Sequence, residues 1–284
     1  VAQHHFETLP GSAGAYALIL AKLARRPSAA VELPTIRATC RDARWPTDRL
    51  DAYKRLVRHP HDDRGLPAFV PQLMAAPLHL RLLSDAALPL SPLGLVHVEN
   101  EIVLREPIHA SEPLEIRTWV EGLTPHARGT LLTLRTQARP RSRREQGAAY
   151  EATTVTLARR AGPRESRERV SQPPLSQRTT FELPEGLGRA YARVAGDLNP
   201  IHQHRVLARP FGFERAVIHG TYTAARAMSE LLPSVPEAPY RLRARFHSPV
   251  FLPSTVCAGY DADDLVVRDA DGVREHVRVT LTAL

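Results

Sequence analysis

The sequence predicts an α+β fold assembled from two similar halves, and three observations carry that expectation. Residues 67–83 are apolar almost all round and too long for a strand, the pattern of a helix buried inside a fold. Four strand-like segments follow at 95–104, 114–121, 129–137 and 149–159; they are rich in β-branched residues, often alternate, and are separated by turn formers. The plan then repeats. An Ala-dense helix at 221–232, closed by Pro233, precedes strand-like segments at 240–246, 255–260, 265–268 and 273–281.

Taken in order, residues 1–30 look peripheral, and His4-His5 reads as a surface pair because adjacent residues do not share a helix face. The apolar run 13–24 contains Lys22, is too short to cross a bilayer, and is expected to pack as a helix or strand. A first strand is expected at 33–41 and a short helix from Thr47, with Thr47 or Asp48 as its N-cap. The Arg-rich run 139–144 is expected to be a solvated hairpin tip, and the polar, Pro-containing run 162–177 a linker. A short strand at 179–183 and a helix at 185–194 open the second half. The domains are therefore set at 1–160, a linker at 161–178, and 179–284. Two corresponding turns support the duplication, 106–114 and 248–256, whose prolines Pro107 and Pro249 are 142 apart (249 minus 107). Pro77-Leu78 falls about where the second half has His219-Gly220, and the first half lacks the polar motif described below, so one site is expected rather than two.

The 284 residues suffice for one large or two fused domains, and 43% apolar with 24% charged residues is the composition of a globular protein. Lys occurs only at positions 22 and 54, so the net charge of +8 is carried almost wholly by Arg. No helix-turn-helix, zinc spacing or aromatic RNA-binding motif accompanies that charge, which argues against a nucleic-acid partner. Cys40 and Cys257 stand far apart without metal-ligand spacing, which fits a reducing cytoplasm and calls for no metal or cofactor.

The segment with chemistry is 191–220, YARVAGDLNPIHQHRVLARPFGFERAVIHG. Gly196-Asp197-Leu198-Asn199-Pro200-Ile201-His202 places a carboxylate, a carboxamide and an imidazole around turn formers. A straight strand would send Asp197 and His202 to opposite faces; a bend can aim both into one cavity. Eighteen residues on, Gly220 opens a helix and can offer a free N–H to a ligand. Taken singly, Asp197 and Asn199 could cap a turn and His202 could be a buried structural histidine; their joint spacing favours a functional site.

Tyr191, Gly196, Asp197, Asn199, Pro200, Ile201, His202 and Ala208, with Gly212-Phe213, Ile218 and His219-Gly220 downstream, resemble the R-specific type-2 enoyl-CoA hydratases, the MaoC-like dehydratases. Ala195 stands where Ser or Thr is common and Thr221 where Met is common, departures that bear on pocket shape. The resemblance implies a double hotdog, two curved antiparallel sheets each wrapping a central helix. It implies reversible dehydration of (R)-3-hydroxyacyl thioesters to trans-2-enoyl thioesters, with acyl-CoA or an acyl-carrier-protein thioester as substrate. A cytoplasmic enzyme without membrane insertion follows, and a homodimer is compatible with it.

Carried over position by position, the resemblance makes Asp197 and His202 the acid/base pair. Asn199 holds the water or hydroxyl, and the Gly220 N–H donates to the thioester carbonyl. In dehydration His202 takes the α-proton and Asp197 protonates the leaving oxygen; the reverse division stays open. Tyr191, Gly196, Phe213 and His219 would shape the pocket, with His219 at the helix entrance. Arg243 and Arg245 are candidates for phosphate contact, and His204 is expected to face solvent. The first half would receive the acyl tail, where Leu66, Phe69, Leu73, Met74 and Leu78 either line a tunnel or form the core. Two competing readings are a hotdog thioesterase, which needs a carboxylate but not the Asn-Pro-x-His continuation, and a non-catalytic acyl-thioester-binding subunit.

Overall fold

The computed structural model describes residues 2–11, 14, 18–19, 35–60, 65–91, 95–143, 145–159, 172–234 and 236–284. The chain divides into two compact units, one of residues 1–47 and 64–160, the other of 48–63 and 161–284. The second unit's main stretch begins after residue 160. Segment 48–63, expected in the first unit, belongs with the second. Most of run 13–24 and residues 162–171 of the expected linker lie outside the described residues, whereas Ser176 and Gln177 already belong to a strand.

The first unit is one sheet in the order β1 (Ala2–Thr8), β2 (Ile36–Ala43), β4 (Leu114–His126), β5 (Gly129–Pro140), β6 (Tyr150–Arg159), β3 (Val96–Leu104). Its strands pair antiparallel except β1 with β2, which run parallel. This sheet is therefore mixed, not wholly antiparallel as expected. Strand β1 was not anticipated, and it gives His4 an acidic partner, Asp85, 3.2 Å away. Helix α2 (Val70–Ser84) packs on β2, β4 and β5. Its apolar residues Phe69, Leu73, Met74 and Leu78, with Leu66 before it, are all buried.

The same helix also buries polar groups. Gln72 donates to Thr154 on β6 and accepts from Asn100 on β3, while His79 bonds Thr136 on β5 at 2.8 Å. Burial drives the His79 pKa down to about 4. The hairpin tip is more than a solvated run of arginines, since Arg139, Arg141 and Arg143 pair with Glu115, Asp42, Glu106 and Glu112.

The second unit is an antiparallel sheet in the order β8 (Tyr240–Phe246), β11 (Glu275–Ala283), β10 (Asp264–Asp269), β9 (Ser254–Asp261), β7 (Ser176–Leu183). The central helix of this unit, Gly220–Leu231 (α5), touches all five strands. Its Ala224, Ala225 and Ala227 are buried, a thin face that lets the backbone lie close to the sheet. Helix α1 (Thr47–Val57) packs from Asp48 onward with this unit, as does α3 (Leu187–Ala195).

The two units share a pattern of backbone hydrogen bonds at corresponding turns. Leu66 N–H donates to Ile108 O and Ile218 N–H to Val250 O, both at 2.9 Å, and the acceptors are 142 apart (250 minus 108). The isolated bridges Gly65–His109 and Val217–Phe251 accompany them. Counting from those bonds, Pro67-Ala68 stands where the second unit has His219-Gly220, a correction to the expected Pro77-Leu78. Pro77 lies inside α2 instead.

Candidate active site

Helix α3 ends at Gly196, whose φ of 78° is left-handed and whose N–H closes on Ala192 O at 2.8 Å. Glycine is favoured there because a Cβ strains that conformation. The chain then turns. Asp197 Oδ1 accepts the Asn199 N–H at 3.1 Å, and Asn199 Oδ1 accepts the Ile201 N–H at 3.4 Å, capping the tight turn Pro200–His202. The plain turn-capping roles of both residues are thus real, but each uses only part of its side chain. Asp197 Oδ2 points elsewhere, and the Asn199 amide nitrogen has no partner among the described residues.

Val217 holds the turn twice, at Ile201 and at His202. Val217 N–H donates to Ile201 O at 2.9 Å, and Val217 O accepts from His202 Nδ1 at 2.6 Å. A carbonyl can only accept, so Nδ1 carries the proton and Nε2 of the neutral ring presents a lone pair. Burial lowers the His202 pKa, opposed by the Asp197 charge and the Val217 bond, so the neutral form is favoured. Nε2 lies 3.8 Å from Asp197 Oδ2. The odd-numbered separation that a strand would have splayed is brought together by the bend.

His219 is closer to the chemistry than its sequence position indicated. Its ring stacks on His202 with centroids 3.6 Å apart and planes at 23°. Its Nε2 is 3.3 Å from Asp197 O and 3.7 Å from Asp197 Oδ2. Tyr191, fully buried, lies on His219 at 4.9 Å and bonds Thr221 through its hydroxyl at 3.2 Å. Burial raises the Tyr191 pKa, so the hydroxyl stays protonated. Tyr53 of α1 reaches the Tyr191 ring at 6.2 Å. The sequence signal for His219, a histidine directly before the helix-opening glycine, was present but did not reveal the stack.

Gly220 begins α5, and its N–H has no acceptor among the described residues. The glycine is needed for packing as well as for approach: a Cβ there would lie 2.5 Å from the Phe246 ring. Gly188 was missed altogether. A Cβ on it would sit 2.2 Å from His202 O, so α3 approaches the Asp197–His202 turn through a glycine.

Other expected residues fall outside the cluster. Phe213 is buried in the loop, its N–H on Ala208 O at 3.3 Å. Arg243 and Arg245 alternate with buried Leu242 and Ala244 on β8, and Phe246, which meets Gly220, shares the parity of the latter pair. The two arginines therefore face away from α5 and the Gly220 N–H. His204 caps the four-residue helix α4 (Arg205–Ala208) by accepting the Val206 N–H.

Asp197, His202 and His219 place donor atoms within 4.8 Å of one another, a set that could attract a metal ion. The stacking tells against a shared ion. Imidazole lone pairs lie in the ring plane, and rings stacked with centroids 3.6 Å apart and planes inclined by only 23° do not bring both lone pairs to one point within bonding distance. The arrangement suits proton transfer better: a neutral imidazole base, a part-exposed carboxylate and a helix N-terminus for a carbonyl oxygen.

Comparison with known proteins agrees with this chemistry. The family model described as "MaoC like domain" matches residues 166–282. 3-hydroxyacyl-thioester dehydratase X of Mycobacterium tuberculosis is 30% identical over 230 residues, covering 77% of this chain and 79% of that protein. The chain belongs to the MaoC-like dehydratase family. Among solved structures, HtdX of Mycobacterium tuberculosis superposes with a TM-score of 0.74 at 25% identity, covering 88% of this chain and 100% of that one. A MaoC-like dehydratase from Phytophthora capsici gives 0.67 at 18% identity over 89% and 96% of the two chains, a likeness of fold. In this member of the MaoC-like family, no helix among the described residues is long and apolar enough to cross a membrane.

Proposed function

We propose that the chain is a hydro-lyase that reversibly dehydrates (R)-3-hydroxyacyl thioesters to trans-2-enoyl thioesters, on two hotdog units of which only the second is catalytic. The observation that carries this reading is the neutral His202, its Nε2 lone pair set 3.8 Å from Asp197 Oδ2 by the Val217 clasp. In dehydration Nε2 takes the α-proton, the Cα–H electrons form the double bond, and the Cβ–O bond breaks. Asp197, which enters the dehydration direction in its protonated form and the hydration direction as the carboxylate, gives its proton to the departing hydroxyl, which leaves as water. The proton on His202 then returns to Asp197 across the same short gap, restoring both groups.

The Gly220 N–H, reinforced by the partial positive charge of the α5 N-terminus, stabilises the enolate-like oxygen. Asn199, through its amide nitrogen, holds the hydroxyl. His219 supports the pair by its stack and its contact with Asp197. A thioesterase would need only the carboxylate; the built imidazole base favours the dehydratase.

The test is hydration of trans-2-enoyl-CoAs of rising chain length, followed by the loss of conjugated-enoyl absorbance and by product chirality. The expected product is the (R)-3-hydroxyacyl thioester. Asp197→Asn and His202→Gln should each lower kcat by about 10²–10⁴. Release of free thiol instead, or undiminished turnover in either variant, overturns the assignment.

A further inference from the structure

Exposed apolar side chains are unevenly placed on the described surface. Leu18, Leu198, Val206, Leu207 and Leu284 are the exposed large hydrophobics, and three of the five lie in the catalytic loop and α4. The exposed charge in the same stretch of chain is mostly basic, with Glu185 and Glu214 at its two ends. Arg189, Arg193, Arg205 and Arg209 are all exposed, and Asp197 is the sole carboxylate between residues 186 and 213.

None of these arginines has a carboxylate partner among the described residues; Arg189 and Arg193 donate only to the backbone oxygens of Gln203 and Arg189. Elsewhere in the same unit Arg226 and Arg278 are taken up by Glu230 and by Asp261, Asp264 and Glu275. The surface is also next to the chemistry. Leu198 adjoins Asp197, whose side chain is 32% exposed, and α4 begins three residues after His202.

A free nucleotide thiol could engage arginines through its phosphates, but it gives no reason for exposed Val206 and Leu207. A protein face that mixes acidic and apolar side chains meets both features, the charges steering and the apolar centre holding. We propose that the loop 198–204 and helix α4 dock an acidic carrier protein that delivers the substrate as a thioester on its phosphopantetheine arm. This rests on the dehydratase reading and names the carrier for that site.

The test uses one enoyl group on three thiols: an acidic acyl-carrier protein, coenzyme A and N-acetylcysteamine. The full chain is compared with Leu207→Glu and with the double variant Arg205→Glu, Arg209→Glu. For the carrier-linked substrate, KM should rise at least about ten-fold in each variant, and the wild-type kcat/KM should fall with added salt. Turnover of the N-acetylcysteamine thioester should be unchanged, which also reports an intact fold. The proposal is overturned if the wild type handles the carrier-linked substrate no better than the N-acetylcysteamine thioester. It is also overturned if charge reversal weakens coenzyme A and carrier substrates alike while Leu207→Glu affects neither. Wild-type inactivity on all three thioesters would bring down the dehydratase reading itself.

Discussion

His219 touches two partners at once, the face of His202 and the backbone and carboxylate of Asp197. Two substitutions separate those contacts. His219→Phe keeps a flat ring but has no nitrogen near Asp197; His219→Gln keeps a nitrogen at comparable reach but loses the stack. If the polar contact sets the Asp197 geometry, Phe should lower kcat about ten-fold or more with little change in KM, and Gln should recover part of it. Equal kcat for Phe and the wild type would reduce His219 to packing. The residue types in this site were legible from sequence because turn chemistry demands them: a left-handed Gly196, an Asx turn at Asp197 and a cap at Asn199. The stack was not, because it depends on Val217 bringing a distant segment under the turn.

At the scale of elements, the Asp197–His202 turn is held by two others, one of them braced by a third. The 216–218 segment clasps it through Val217, α3 lies against it at Gly188, and α1 braces the end of α3 through Arg49, whose guanidinium donates to Val194 O at 2.6 Å. The contact at Gly188 gives a sharp expectation. An alanine methyl at position 188 meets a backbone oxygen that cannot rotate aside, unlike the Phe246 ring beside Gly220. Gly188→Ala should therefore cost about 1–3 kcal/mol of stability and displace His202, lowering kcat as well as the urea midpoint. Both losses are read on the purified variant; a stable protein with full kcat would show that α3 can shift freely. Sequence could not single out Gly188, since a glycine in an apolar helical run announces neither what approaches it nor from where.

For the molecule as a whole, the strongest test is stability against pH. His79, His202 and His276 have pKa values lowered first by burial, so the unfolded chain binds their protons first as pH falls. Their contribution is intact above about 6.5, the ordinary histidine value, and is lost on acidification through the folded values, about 4 for His79. Urea unfolding should show His79 alone contributing about 2 kcal/mol of loss between pH 6.5 and 5. His79→Gln should flatten that slope, and an unchanged slope would mean that the site is hydrated. The alternation and the breaks between segments were enough to place most strands and helices within a few residues. The β1 strand was missed because its parallel partner supplies a reason to be a strand that no local pattern in residues 2–8 contains.

Segment 48–63 belongs to the unit that follows it by a hundred residues, and its Tyr53 and Arg49 lie on Tyr191 and on the end of α3. A gene fragment beginning at Ala161 would encode every proposed catalytic group and still leave those surfaces bare. The two halves are thus not interchangeable cassettes: a single cut cannot part them, and any recombination that swaps the second half must carry this helix along.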